Sequence, residues 1–124
     1  MTNDNIEAIV EALSRVRMSG QPAEYDIHAA VAQVLRDAGL EYTHEYRLGP
    51  RRRIDFRVGR VGIEIKKGRP VTSELARQVR RYLESDALDA VVVVSQRLAH
   101  LPQRIGGKRV AVVSLDRLWG VALP

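Results

Sequence analysis

Asp55, Glu64 and Lys66 are the residues of this chain whose types and spacing could do chemistry. They lie in the stretch Ile54-Asp55-Phe56-Arg57-Val58-Gly59-Arg60-Val61-Gly62-Ile63-Glu64-Ile65-Lys66. Residues 54–58 and 61–66 each alternate apolar and polar, with Gly59-Arg60 between them, which predicts a β-hairpin. A two-residue turn with glycine first suits type II′. That turn sets a register in which Asp55 faces Glu64, Ile54 faces Ile65, Phe56 faces Ile63 and Val58 faces Val61. One face is then wholly apolar, and the other carries Arg53, Asp55, Arg57, Gly62, Glu64 and Lys66. Opposed carboxylates repel, so a purely structural sheet avoids them. A divalent cation between them turns the repulsion into a binding site. Two carboxylates and a lysine on one patch suit the hydrolysis of a phosphodiester. The bland alternative makes Asp55–Arg53 and Glu64–Lys66 solvated ion pairs. Such pairs are worth little, and they leave the opposition of the two acids unexplained.

The charge around the hairpin points the same way. The chain carries a net charge of +5 over 124 residues, and 17 of its 20 basic residues are arginine. Between Arg47 and Arg81 lie 12 basic residues against only Asp55, Glu64 and Glu74, a local charge of +9 that leaves −4 for the rest. A polyanion-binding surface needs such a concentration, although an arginine-rich solvated face would also read this way. The length supports one domain with a real core. There is no cysteine, hence neither a disulfide framework nor a thiolate zinc site, which suits the cytoplasm. No apolar run approaches a membrane span, and Met1-Thr2-Asn3-Asp4 does not open a signal peptide.

The elements that must position the hairpin follow from periodicity. Residues 4–18 predict an amphipathic helix with the stripe Ile6, Ile9, Val10, Leu13 and Val16, a capping box from Asp4 to Glu7, and a stop at Ser19-Gly20-Gln21-Pro22. It carries no chemistry of its own and either packs on the domain or forms a dimer contact. Residues 24–38 predict a second helix with inner residues Ile27, Val31, Val34, Leu35 and Ala38, closed by Gly39. At helical spacing Glu24 falls inside that stripe, His28 at its edge and Asp26 nearly opposite. Asp26 fits a simple helix-dipole role, whereas Glu24 could point at the hairpin. Histidines at stripe edges more often pack or cap than catalyse.

Tyr42–Leu48 predicts a strand alternating Tyr42, His44, Tyr46 and Leu48 against Thr43, Glu45 and Arg47, broken by Gly49-Pro50. Glu45 reads better as a solvent-facing partner of a neighbouring arginine than as a site acid. After the hairpin, residues 71–85 predict a helix capped by Thr72 or Ser73, with Glu74 in its first turn. Its inner stripe is Val71, Leu75, Val79, Tyr82 and Leu83, its basic flank is Arg77, Arg80 and Arg81, and Gln78 is partly inward and in need of a polar partner. Asp89–Ser95 reads as a strand buried on both faces and parallel to the one carrying Glu64. Residues 97–104 are loop or a short helix, Lys108–Ser114 is another strand, and Asp116–Trp119 is a closing helical turn. Gly106-Gly107-Lys108 lacks the spacing of a phosphate loop. His28, His44 and His100 are isolated in sequence and there is no His-Glu-x-x-His, which argues against a zinc hydrolase.

Asp on the second strand, Glu64-Ile65-Lys66 on the third, and Gln78-x-x-x-Tyr82 on the helix that follows resemble the PD-(D/E)XK, or restriction-endonuclease-like, nuclease superfamily. That superfamily includes archaeal-type Holliday junction resolvases and many small phage and bacterial nucleases. The resemblance runs from about Glu24 to Ser114, with Ile54 where the family name has Pro. It implies an α/β fold: a central mixed sheet of about five strands flanked by helices. The αβββαβ core would span 24–114 of a single 1–124 domain, with 1–20 as an N-terminal helical extension. It also implies a metal-dependent deoxyribonuclease, an endonuclease acting on structured or duplex DNA.

In that reading Asp55 and Glu64 bind Mg²⁺ or Mn²⁺, helped by the Ile65 carbonyl and by Glu24, which matches the family's helix glutamate ahead of His28 or Asp26. These are hard oxygen ligands for a hard cation. Lys66 orients or deprotonates the attacking water and stabilises charge on the phosphate, and Gln78 positions Lys66 or the nucleic acid. Arg51, Arg52, Arg53, Lys67, Arg77, Arg80 and Arg81 hold phosphates. The expected partner is DNA, and a homodimer would pair two cuts; no small-molecule cofactor and no membrane is expected. The competing readings are an inert nucleic-acid-binding domain of the same fold and a dimeric interaction module.

Overall fold

A computed structural model describes residues 2–18 and 22–116, with side chains described from Ile6 onward. The first helix already begins at Thr2, so Asp4 lies within it and is not its N-cap; the turn residues Ser19-Gly20-Gln21 and the closing turn from Arg117 to Trp119 lie outside the described residues. The elements run α1 (Thr2–Leu13), α2 (Glu24–Asp37), β1 (Thr43–Gly49), β2 (Arg52–Val58), β3 (Val61–Lys66), α3 (Thr72–Leu83), β4 (Ala90–Ser95), β5 (Arg104–Ile105) and β6 (Lys108–Ser114). The strands form one mixed sheet in the order β1-β2-β3-β4-β6-β5. β1, β2 and β3 are successively antiparallel, β4 runs parallel to β3 and to β6, and β5 is antiparallel to β6. The chain is therefore α/β with a central mixed sheet and helices on both faces. The strand beyond the expected five is the two-residue β5, made by a tight turn at Gly106 (φ 60°) and Gly107 (φ 81°).

Two apolar clusters fill the faces. On one, Ile6, Ile9, Leu13 and Val16 of the N-terminal segment and Ile27, Val31 and Leu35 of α2 pack on Phe56, Val58, Val61, Ile63 and Ile65. On the other, Leu75, Val79, Tyr82 and Leu83 of α3 pack on Ile54, Leu88, Val91 and Val93. β4 explains its unbroken valine run: it lies between β3 and β6, and every residue of it is buried. The β3–α3–β4 crossover is the expected parallel unit, registering Glu64 against Val93 and Lys66 against Ser95.

Several local expectations are corrected. The first helix stops at Leu13 rather than 18, because Ser14 Oγ bonds the Val10 carbonyl (2.8 Å) and the chain tightens through Arg15 N–H to Ala12 O and Val16 N–H to Leu13 O. Its stripe lies inside the core, so that stripe is not available as a dimer contact. α3 starts after Val71, which is extended and makes no side-chain cap, so neither Thr72 nor Ser73 caps it. Val71 is exposed rather than part of the inner stripe.

The hairpin closes as expected, with Gly59 left-handed (φ 58°) and pairs Val58–Val61, Arg57–Gly62 and Phe56–Ile63. Beyond Phe56–Ile63 the ladder stops, so the Asp55–Glu64 and Ile54–Ile65 pairs do not form. Alternation also breaks there. Ile54 joins the cluster under α3, while Phe56 joins the one under α1 and α2. The hairpin consequently has no wholly apolar face. Ile54 occupies the space over Gly62, where a Cβ would lie 2.4 Å from Ile54 Cδ1 and 3.0 Å from Leu88 Cδ1. The neighbouring β1 breaks at the same level. Glu45 is left-handed (φ 57°), Tyr42 packs on the α2 side, and Tyr46 and Leu48 pack on the α3 side.

Candidate active site

The end of the β2–β3 ladder is where the acids meet. Asp55 Oδ2 accepts the Ile65 N–H at 2.8 Å, and Glu64 Oε1 accepts the Asp55 N–H at 3.4 Å. Each carboxylate thus replaces a missing ladder bond, which satisfies backbone donors that would otherwise be orphaned. Lys66 Nζ sits 3.5 Å from Glu64 Oε2. Gln78 Nε2 donates to the same oxygen at 3.4 Å and to Tyr82 Oη at 2.9 Å, and the Tyr82 hydroxyl donates to the Arg53 carbonyl at 3.4 Å. α3 therefore touches the site through Gln78, the inward polar residue that sequence spacing singles out, and Tyr82 ties that helix to β2.

Burial sets the electrostatics. Glu64 is only 6 % exposed. Burial first, and the nearby Asp55 charge second, push its carboxyl up to about 7. Burial also raises Asp55, against the opposing pull of the Ile65 N–H and the His28 ring. Tyr82 is raised by burial and by the Glu64 charge beside it. A buried carboxyl pushed toward its neutral form by burial and by a second, partly buried acid beside it is the electrostatic situation that a divalent cation relieves. Among the described residues no group of three or more His, Asp or Glu side chains is arranged as a metal cage. The acids offer two side-chain oxygen donors. A donor set this small still suits Mg²⁺, which keeps several waters and takes one or two carboxylates plus substrate phosphate.

The second helix contributes differently from the expected pattern. Glu24 is not buried in the inner stripe, which begins only at Ile27; its side chain is 61 % exposed. Asp26 Oδ2 accepts the Ala23 N–H at 3.0 Å and so caps the helix. His28 stands closer to the chemistry, with Nε2 3.6 Å from Glu24 Oε2 and 3.9 Å from Asp55 Oδ2. Nor is His28 isolated: its Nδ1 lies 3.1 Å from His44 Nε2. Glu24 thus reaches Asp55 by way of His28. Glu45 pairs with Arg53 at 3.3 Å, as a solvent-facing acid should.

On the other side, Arg51, Arg52, Arg53, Arg77 and Arg81 line one groove of about 440 Å³ together with Gln78, Tyr82 and a single acid, Glu74. It opens beside the buried Glu64. Arg80 and Lys67 are exposed outside it. Arg52 is partly committed within the fold, at 3.7 Å from Glu84 and 3.4 Å from the Arg81 carbonyl. Lys108 has a structural task, binding the Ser85 and Leu88 carbonyls, consistent with Gly106-Gly107 being a turn rather than a phosphate loop.

Sequence reasoning missed Tyr25 and His44. Tyr25 is 80 % exposed at the rim of a cavity that Asp55 also lines. His44 pairs with a residue sixteen positions away on a different element, so no helical or strand period could reveal it. Among the described residues no helix is long and apolar enough to cross a membrane. Compared with family models, with curated proteins and with solved structures, the chain matches none.

Proposed function

We propose that this chain is a divalent-metal-dependent nuclease that hydrolyses phosphodiester bonds in DNA, most simply as an endonuclease. One observation carries the reading: a buried and a partly buried carboxylate meet a lysine where a sheet ladder ends, beside a groove lined by five arginines. The backbone bonds that the two acids accept do not require two charges at this level: neighbouring acids, one of them buried, repel each other, and clustered arginines repel each other as well.

In this reading Asp55, Glu64 and the Ile65 carbonyl hold Mg²⁺ or Mn²⁺, with Glu24 available from the rim. The ion, when bound, polarises the scissile phosphate and lowers the pKa of an attacking water. Lys66 orients that water and stabilises the charge that builds on the phosphate oxygens. Gln78 holds Glu64 and Tyr82 in place. The groove arginines neutralise the phosphates that flank the cut, which fixes the strand without reading its sequence.

A cleavage panel in Mg²⁺ tests the proposal: single-stranded, duplex, flapped and four-way-junction DNA, and RNA, with Asp55→Ala and Lys66→Ala as controls. Cleavage of at least one substrate, abolished by both substitutions, is expected. No cleavage of any substrate, or cleavage that survives both substitutions, would overturn it.

A further inference from the structure

We infer that the cavity between α2 and β1, rimmed by Tyr25 and His44, binds a single unpaired nucleobase of the strand whose phosphodiester lies at Asp55 and Glu64. The inference rests on the proposed nuclease reading and names its substrate class: nucleic acid with an unpaired nucleotide next to the bond that is cut.

The two sides of the acidic site differ in chemistry. The groove toward α3 is lined by five arginines, which suit phosphates. The cavity toward α2, about 570 Å³, contains no arginine or lysine among the residues that line it. It offers planar rings instead, with the carboxylates of Glu24, Glu45 and Asp55 at its border. Phe56, 1 % exposed, forms the floor. His44 stacks on Phe56 with ring centroids 4.6 Å apart and an interplanar angle of 23°. His44 is itself exposed, with the His28 ring edge-on to it at 5.3 Å. Tyr25 stands on the helix rim of the same cavity, 80 % exposed, one of few large apolar side chains left in solvent among the described residues. His28 and Glu24 add hydrogen-bonding groups at the mouth.

Aromatic faces with a few polar groups at their edge are what a nucleobase needs, and every base has a face to stack. Asp55 lines this cavity and hydrogen-bonds across to Ile65 of β3. A strand can therefore lay its phosphates in the arginine groove, pass the carboxylates, and turn its next base into the cavity. A base inside a duplex has both faces covered by its neighbours and its edge paired, so it cannot enter without being flipped out. Single strands, flaps and branch points already present such a base. Deoxyribose and ribose strands share this chemistry, and the experiment carries both.

The test is an abasic scan. Fluorescent duplexes with 5′ or 3′ flaps, of DNA or RNA, carry one abasic residue moved stepwise along the flap from the branch. Binding is read by anisotropy in EDTA, and cleavage in Mg²⁺. The expected result is a loss of affinity of about tenfold at one position only. Tyr25→Ala should cause the same loss on the intact flap and erase the abasic penalty, and Tyr25→Phe should retain both. Fully paired duplex should bind more weakly and be indifferent to Tyr25→Ala. A flat abasic scan, a penalty that persists in Tyr25→Ala, or no binding of any flap would overturn the base pocket. A flat scan with cleavage intact would leave the nuclease standing. A normal scan without cleavage would remove the nuclease and leave base binding in place.

Discussion

Asp55 and Glu64 hold each other's strand: Asp55 Oδ2 takes the Ile65 N–H of β3 at 2.8 Å, and Glu64 Oε1 takes the Asp55 N–H of β2 at 3.4 Å. The acids are thus structural acceptors as well as candidate ligands, and substitution separates the two roles. Glu64→Gln keeps the shape and one acceptor oxygen for the Asp55 N–H, and removes the buried charge. Metal-free Glu64→Gln should be more stable than the parent at pH 8 by on the order of 2 kcal/mol, while cleavage falls by at least about a hundredfold. Thermal unfolding in EDTA and a cleavage assay check the two halves.

The pH dependence has a definite sign. Glu64 is raised from 4.5 to about 7 by burial and by Asp55. The folded chain therefore favours the protonated acid more than the unfolded chain does. That contribution is fully present below about 4.5 and is lost as pH rises through about 7. Metal-free protein should accordingly lose thermal stability across this window. Mg²⁺, which needs the carboxylate, should raise the melting temperature at pH 8 and scarcely at pH 5. Equal stabilisation at both values would contradict the assignment of Glu64 as a ligand.

Lys66 and Gln78 should separate chemistry from positioning. Lys66→Ala should lower kcat by about a hundredfold or more with little change in KM, since the proposed mechanism puts it at the reacting phosphate. Gln78→Ala releases both Glu64 and Tyr82, so a smaller loss, about tenfold, is expected. Steady-state kinetics on the best substrate from the cleavage panel would show the split.

The arginine groove should govern the salt dependence of binding. Replacing Arg77 and Arg81 by Ala should weaken binding to all sequences alike. It should also reduce the slope of log affinity against log salt by about 1 to 2. Binding titrations at several salt concentrations, in EDTA, read this without involving the cleavage step.

Gly62 gives a purely structural prediction. Because Ile54 Cδ1 would lie 2.4 Å from a Cβ there, Gly62→Ala should destabilise by about 1–3 kcal/mol. Combining it with Ile54→Val should recover part of that loss, and chemical denaturation of the single and double variants tests the coupling.

What could be read from the sequence was what obeys a period or a local turn. The alternation of 61–66, the glycine at 59 and the β-branched run at 91–94 place the hairpin and the central strand where they are found. The inward position of Gln78 followed from helical spacing, and its bonds to Glu64 and Tyr82 are the polar partners it required. The failures cluster where a period is interrupted. Ile54 crosses to the other face and the ladder ends before Asp55, because a carboxylate and not a backbone carbonyl takes the Ile65 N–H. Side-chain competition for a ladder bond leaves no trace in an apolar–polar pattern. Glu24 and His28 exchange their expected proximity for a similar reason: azimuth on a helix does not tell how far its first turn stands from the sheet. The His28–His44 contact depends on how α2 lies on β1, which is decided by core packing far from either residue.

The position of the two acids in the sheet has a mechanical consequence. Glu64 is carried by β3, which is clamped between β2 and the wholly buried β4, whereas Asp55 is carried by β2, whose other neighbour is the largely exposed edge strand β1. Local opening starts where fewest buried contacts resist it. Warming should therefore loosen β1 and β2 before β3, as amide exchange would register. The carboxylate pair comes apart when one of its two halves is shaken free, so the molecule stands to fall silent at a temperature at which most of its sheet is still intact.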